Sequence, residues 1–281
     1  MIRLLATDLD GTLLPPGGAV PEGNAAALRE AAALGVRIVF ATVRIRRTTL
    51  RTVGGLGVPF SLVCQGGATV YGEEGGLLRE ICIPLDLARE VAAFADARGV
   101  GLLTTRAEEF RFGPGYEPGL PGVPPPTETL RTNLEAVDGA PTRFMVSGER
   151  GVSLLMERFA GAPLRFVRHY RGDGTLIDAA VTAAGATKEA GLGVLGERYG
   201  IAPGAMLALG DAEADVGMFS MAGVGVAVAN APESVRAAAD WVAPAAADCG
   251  VAAAIRRFVI DGNATAGRGD LAPTSPQPFN R

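Results

Sequence analysis

Short apolar runs alternate with helical spacing along most of this chain, and that rhythm predicts its elements. Leu4-Leu5-Ala6 opens the protein as a buried strand that ends at Asp8 and Asp10. Residues 23–34 carry Ala and Leu at helical spacing, and Gly35 supplies a stop. Val36–Ala41 is β-rich and ends at Thr42. Strand, helix and strand in succession predict a β-α-β unit, and therefore a parallel sheet. A helix over Arg44–Val53, a strand over Ser61–Cys64 and a hairpin over Ala68–Pro84 around Glu73-Glu74-Gly75-Gly76 continue the series.

After Pro84 the pattern changes. Leu85–Arg98 is helical, with Leu87, Val91, Phe94 and Ala95 on one side. Strands are expected at Gly101–Thr105, Glu109–Phe112, Arg143–Ser147, Leu164–His169 and Thr175–Ala180, and helices at Thr129–Val137 and Gly151–Phe159. Residues 113–126, rich in Pro and Gly, predict a loop. From Thr187 the α/β rhythm returns: helices at Thr187–Tyr199, Asp215–Ala222, Pro232–Ala239 and Asp248–Val259, and strands at Met206–Leu209 and Val224–Val228. The organisation expected is a doubly wound, mostly parallel α/β core from residues 1–83 plus 187–261. An inserted α+β unit spans 84–186, and a disordered tail spans 262–281.

Composition narrows the function classes. The chain has 281 residues, 48% of them hydrophobic, which is enough for a sizeable core. Its net charge of −4 lacks the basic footprint of a nucleic-acid binder. Cys64, Cys82 and Cys249 form no C-x-x-C pair, and His169 is the one histidine, which excludes multi-His metal sites. No apolar run reaches membrane-spanning length, and Asp8 and Asp10 interrupt the first one, so neither a membrane span nor a signal peptide is read. A cytoplasmic protein, monomeric or homodimeric, is expected.

The chemistry concentrates at Asp8-Leu9-Asp10-Gly11-Thr12-Leu13-Leu14. In a strand, positions two apart share a face, about 6.6 Å apart along the chain. Two carboxylates at the carboxyl end of a first strand lie where open α/β sheets hold ligands. They suit one hard divalent cation and one nucleophile. Gly11 permits a sharp turn there.

This segment resembles motif one of the haloacid dehalogenase (HAD) superfamily of phosphohydrolases, and later segments resemble its Cof-like branch, which has a large α/β cap. Ala41-Thr42-Val43-Arg44 is similar to the family's A-T-G-R, with Val43 in place of glycine. Lys188 opens a helix where the family's motif-three lysine stands. Gly210-Asp211-Ala212-Glu213-Ala214-Asp215 resembles G-D-x-x-N-D, with Ala214 in place of Asn. Val226-Ala227-Val228-Ala229-Asn230-Ala231 and Asp248-Cys249-Gly250-Val251-Ala252 match further family segments, whereas Gly66 stands where Asn is common.

The resemblance implies a Rossmann-like core with the cap inserted between motifs two and three. It implies that Asp8 attacks phosphorus and that Asp10 acts as acid and then base. Lys188 would neutralise Asp8 and the phosphoryl oxygens. Mg²⁺ would be held by the Asp8 side chain, the Asp10 backbone carbonyl and the Asp211 side chain, with Asp215 orienting them or binding through water. Thr42, Gly11, Lys188 and Arg44 would bind phosphate or substrate. Plainer readings are a helix N-cap for Thr42, a surface charge for Arg44 and a helix-dipole acid for Asp215. Arg143, Arg168, His169 and Arg171 are the candidate cap contacts to a substrate, with a structural or surface role the plainer reading for His169. The activity implied is a Mg²⁺-dependent phosphomonoesterase acting on a small phosphorylated metabolite, with a sugar phosphate the best match. A weakly active or inactive sugar-phosphate-binding module, or a phosphotransferase or mutase on the same fold, are the alternatives.

Overall fold

The computed structural model describes residues 1–106, 108–117, 129–170 and 174–262. The core half runs β1 (Leu4–Thr7), α1 (Glu22–Ala33), β2 (Arg37–Ala41), α2 (Arg46–Val53), β3 (Phe60–Cys64), β4 (Thr69–Tyr71) and β5 (Leu77–Glu80). The second half of the chain's first sheet comes from beyond the insertion. The insertion itself contains α3 (Leu85–Arg98), β6 (Leu102–Arg106), β7 (Glu109–Phe112), β8 (Arg143–Ser147), α4 (Glu149–Arg158), β9 (Leu164–Tyr170) and β10 (Leu176–Ala183). The core then resumes with α5 (Lys188–Tyr199), β11 (Met206–Gly210), α6 (Val216–Met221), β12 (Val224–Val228), α7 (Glu233–Ala237), β13 (Trp241–Ala243) and α8 (Gly250–Ile255).

The core sheet has the order β13-β12-β11-β1-β2-β3-β4-β5, so β1 is central. It is parallel from β13 to β3, and only β4 and β5 run antiparallel at one edge. Both faces are covered, as a parallel sheet requires. Within β1, Leu5 joins the layer under α1 and α8, while Leu4 and Ala6 join the layer under α5, α6 and α7. This two-sided burial is why the strands read as unbroken apolar runs rather than alternating ones.

The cap sheet is antiparallel, in the order β7-β6-β8-β10-β9. One face packs on α3 and α4 through Leu102, Phe144, Val146, Ala179 and Val181. The other faces the core. Glu108 ties the two together: its carboxylate accepts from the Arg46 and Arg47 amides at 2.8 and 2.9 Å, at the first turn of α2.

Several expectations change. Residues 129–137 form one 3₁₀ turn, Leu134–Ala136, instead of a helix. Tertiary hydrogen bonds claim that segment: Asp96 accepts from the Asn133 and Leu134 amides, and the Asn133 side chain bridges Leu102 N and Val100 O. The last helix is broken at Cys249, whose φ is +57°, and continues through a π turn over Arg256–Ile260. Strand β13 was not expected, because three residues carry too little periodicity to be read. Arg171 and residues 263–281 of the predicted tail lie outside the described residues. Among the described residues no helix is long and apolar enough to cross a membrane.

Candidate functional site

The carboxyl ends of β1 and β11 adjoin, and their following turns carry the acids. The β1 strand ends at Thr7, one residue before Asp8, although the Asp8 amide still donates to the Leu209 carbonyl at 3.0 Å. The chain then folds back, with the Thr12 and Leu14 amides both donating to Leu9 O. Leu9, Leu13 and Leu14 are buried and anchor this turn. Asp8 and Asp10 therefore do not project together from one strand face. Asp8 is buried beside Lys188, whereas Asp10 is exposed and forked by Arg44, whose Nε donates at 2.7 Å and whose Nη2 donates to the other oxygen.

Lys188 is the first residue of α5, whose N-cap Thr187 accepts from Ala190 N at 3.2 Å. That cap aims the first turn at the sheet edge. The Lys188 ammonium, 2% exposed, lies 2.6 Å from Asp8 Oδ1 and 2.6 Å from Asp215 Oδ1. The second Asp215 oxygen accepts from the Asp211 and Ala212 amides at 3.1 and 3.0 Å. Asp215 is thus fully engaged and orients both the lysine and the Asp211 turn. Asp211 is held from the other side by Thr12 Oγ1, which donates at 2.8 Å. Carboxylate oxygens of Asp8, Asp211 and Asp215 all lie within 4.8 Å of one another.

Two buried carboxylates and one half-buried one cluster beside one ammonium, and the titration directions follow. Burial pushes the Asp8 carboxyl well above its ordinary range, against the pull of Lys188. Burial, then the Asp215 carboxylate, push Asp211 up to about 6. Burial opposes the charge on Lys188, but Asp215 and Asp8 outweigh it and hold its pKa above the ordinary range. A second positive charge among hard oxygen donors would relieve the remaining repulsion, so the donor set fits a divalent cation such as Mg²⁺.

Gly11 has φ +90°, and a Cβ there would lie 2.3 Å from Asp211 Oδ2. Its amide donates to Leu14 O and its carbonyl accepts from Asn230 Nδ2, so what the position needs is close approach to Asp211. Thr42 is buried at the end of β2 and its hydroxyl accepts from Arg44 N at 3.1 Å, closing a turn. It is not a helix N-cap, because α2 starts at Arg46. Val43 is absent from the positive-φ residues, so this loop does not call for glycine there. Arg44 spends its donors on Asp10 and on Thr52 Oγ1. Thr12 and Asn230 were assigned no role from sequence; their places within matched motif segments were the available signal.

In the cap, Arg143 is buried and Nη1 donates to the Val43 carbonyl. His169 Nδ1 lies 2.7 Å from the buried Asp178. Arg168 does not face the core. It pairs with Ala179, on the sheet face covered by the cap helices, and its guanidinium lies over the Tyr170 ring.

Comparison with known proteins adds an independent line. The haloacid dehalogenase-like hydrolase family profile matches residues 5–116 and 144–255. A phosphoglycolate phosphatase of Natronomonas pharaonis is 28% identical over 247 residues, 87% of this chain and 92% of that one. The 5-amino-6-(5-phospho-D-ribitylamino)uracil phosphatase YcsE of Bacillus subtilis is 26% identical over 259 residues, 92% of this chain and 96% of that one. The fold is similar to that of the HAD subclass IIB sugar phosphatase BT4131, with a TM-score of 0.76 at 22% identity over 92% of this chain and 99% of that one.

Proposed function

The chain belongs to the haloacid dehalogenase-like hydrolase family and is one of its phosphatases, and from that premise we propose a Mg²⁺-dependent phosphomonoesterase working through an aspartyl-phosphate. The observation that carries the reading is Lys188, buried at 2.6 Å from Asp8 and 2.6 Å from Asp215, beside Asp211. A dianionic phosphate approaching an aspartate is repelled: one pair of unit charges at 4 Å costs about 4 kcal/mol at an effective dielectric near 20. Lys188 is the protein's own answer to that repulsion. Mg²⁺, held by Asp8 and Asp211 and by the Asp10 carbonyl, would supply the rest of the charge neutralisation.

In this mechanism Asp8 attacks phosphorus and the ester oxygen leaves. Asp10 gives the leaving oxygen its proton, then takes one from the water that hydrolyses the aspartyl-phosphate. Asp10 is the exposed acid, bound to Arg44, so Arg44 orients that carboxylate. Asp215 keeps Lys188 and the Asp211 turn in place. Thr42 and the α5 N-terminus bind phosphoryl oxygens. The cap excludes water and selects the substrate. The relatives named above act by name on small phosphorylated compounds, in keeping with this reading. A sugar or polyol phosphate is the substrate that the family resemblance favours.

The test is phosphate release from a broad panel of phosphomonoesters, with Mg²⁺ and then with chelator, beside the Asp8→Asn variant. Turnover that needs Mg²⁺ and vanishes in the folded variant is expected. Binding without turnover would leave the binding-module reading, and unchanged turnover by Asp8→Asn would remove Asp8 as the nucleophile.

A further inference from the structure

The core-facing side of the cap sheet is built in rows. Strand register sets Thr105 beside Arg143, Arg143 beside Thr182, and Thr182 beside Arg165, one residue from each of β6, β8, β10 and β9. This row is the one seated on the loops of the proposed phosphate site. Arg143 donates to the Val43 carbonyl, next to Thr42. A Cβ on Gly66 would lie 3.9 Å from Arg165 Nη1, and the neighbouring Gly67 backbone touches Thr187, which precedes Lys188.

The row is rich in donors that the protein leaves unmatched. Among the described residues Arg143 Nε, Arg165 Nη1, Thr105 Oγ1 and Thr182 Oγ1 are buried with no hydrogen-bond partner, and so is Nε2 of Gln65, the residue before Gly66. Arg143 is 4% exposed and Gln65 is 1% exposed. Native interiors leave few such atoms, and five at one place call for an acceptor. No carboxylate stands in the row. Glu108 accepts from the α2 amides, and Asp178, four residues along β10 from Thr182, meets His169 through Oδ1 and leaves Oδ2 without a hydrogen bond. Among the described residues neither Arg143 nor Arg165 has a carboxylate within ion-pairing distance, and Asp178 and Glu108 act on Arg143 only from further away. Burial lowers the Arg143 pKa to about 10, so it is still a cation at neutral pH. The next row, Leu103, Met145, Ala180 and Val167, is apolar and limits how far a polar ligand can extend.

We infer that the substrate is a short phosphomonoester carrying a second anionic group, which Arg165 and Arg143, with Gln65 and Thr182, bind across the cap–core seam. This rests on the phosphatase reading and narrows it to phosphorylated acids or short bisphosphates. An anion that accepts from guanidinium and hydroxyl donors satisfies the row better than a sugar hydroxyl, because it forms the direct charge-assisted bonds that no carboxylate of the described residues makes to these guanidiniums.

The experiment compares esters matched in size: 3-phosphoglycerate against glycerol 3-phosphate, and 2-phosphoglycolate against 2-hydroxyethyl phosphate. Glycerol 1,3-bisphosphate is included to tell a carboxylate from a second phosphoryl group. For the wild-type protein, kcat/KM is expected to favour the ester with the second anion by at least about tenfold. In Arg165→Gln that ratio should fall by roughly tenfold to a hundredfold, the scale of one charge-assisted contact, and Arg165→Lys should retain part of it. The wild-type ratio needs no variant, so a variant that fails to fold does not remove the test. Hydrolysis with a ratio near one, or favouring the neutral partner, overturns this inference and leaves the phosphatase reading standing. A ratio unchanged in a folded Arg165→Gln overturns the assignment to the row. If no ester is hydrolysed, p-nitrophenyl phosphate included, the phosphatase reading falls and this one with it.

Discussion

Asp211→Asn should stabilise the metal-free protein at neutral pH while abolishing its response to Mg²⁺. Asp211 is one of three clustered carboxylates, of which Asp8 and Asp215 share the one lysine, and burial together with Asp215 raises its pKa from 3.8 to about 6. A rise of about 2 units corresponds to about 3 kcal/mol at 1.36 kcal/mol per unit, an upper value for a carboxyl that is partly open to water. The sign follows from proton linkage. Because the folded-state pKa is the higher one, the folded protein holds more protons than the unfolded chain between pH ~4 and ~6. Stability is therefore full below about pH 4, is lost as pH rises to about 6, and stays lost at pH 7. Asp8, raised in the same direction, adds to the trend. Asparagine carries no charge, and its oxygen can still accept the Thr12 hydroxyl that now donates at 2.8 Å. For a chain of this size each kcal/mol moves Tm by roughly 2–4 °C, so the full effect is about 6–12 °C. Melting curves in chelator at pH 5 and pH 7.5 measure it. The wild-type Tm should fall between the two and the variant's should fall less, so that at pH 7.5 the variant melts higher. Saturating Mg²⁺ should then raise the wild type, by about 2.7 kcal/mol at a hundred times Kd, and leave the variant unmoved. A variant that melts at or below the wild type in chelator at pH 7.5 would refute the account of crowded, unneutralised carboxylates.

Three further outcomes follow from the same geometry. Lys188→Met should cost about 3–5 kcal/mol in urea unfolding, because Asp8 and Asp215 lose their shared cation, and the deficit should shrink as pH falls and Asp8, whose pKa is already raised, protonates. Gly67→Ala should cost about 2 kcal/mol or more and lower turnover sharply, since its φ is +108° and a Cβ would stand 2.0 Å from the Thr187 carbonyl at the start of α5; an activity assay and a melt on one sample check both. Glu108→Gln should weaken the cap's hold on α2 by about 1 kcal/mol, read as severalfold faster hydrogen exchange at the Arg46 and Arg47 amides.

The architecture was largely legible from local pattern. The runs at residues 4–6, 38–41, 62–64 and 206–209 are apolar without interruption because the sheet is covered on both sides, and such runs show in the chain itself. Leu85–Arg98 became a helix over the expected span, since its own spacing and Gly99 at its end specify it. Thr129–Val137 did not, because Asp96, over thirty residues away in sequence, binds its backbone. The acids and the lysine were identified as residue types at motif positions, but their partners were not. Lys188 reaches Asp8 across 180 positions, and Thr12 reaches Asp211 across 199.

The chain's own pattern determined most of the stretches that become strands and helices, that the core sheet is mostly parallel, and which turns carry acids, because periodicity and turn chemistry act over a few residues. Only the tertiary structure decided that Asp10 turns to Arg44 rather than joining Asp8, Asp211 and Asp215. It alone lined up Arg143, Thr182 and Arg165 across three strands over the site. Those outcomes depend on strand register and on charges brought together from distant positions, and neither is encoded in the spacing of neighbouring residues.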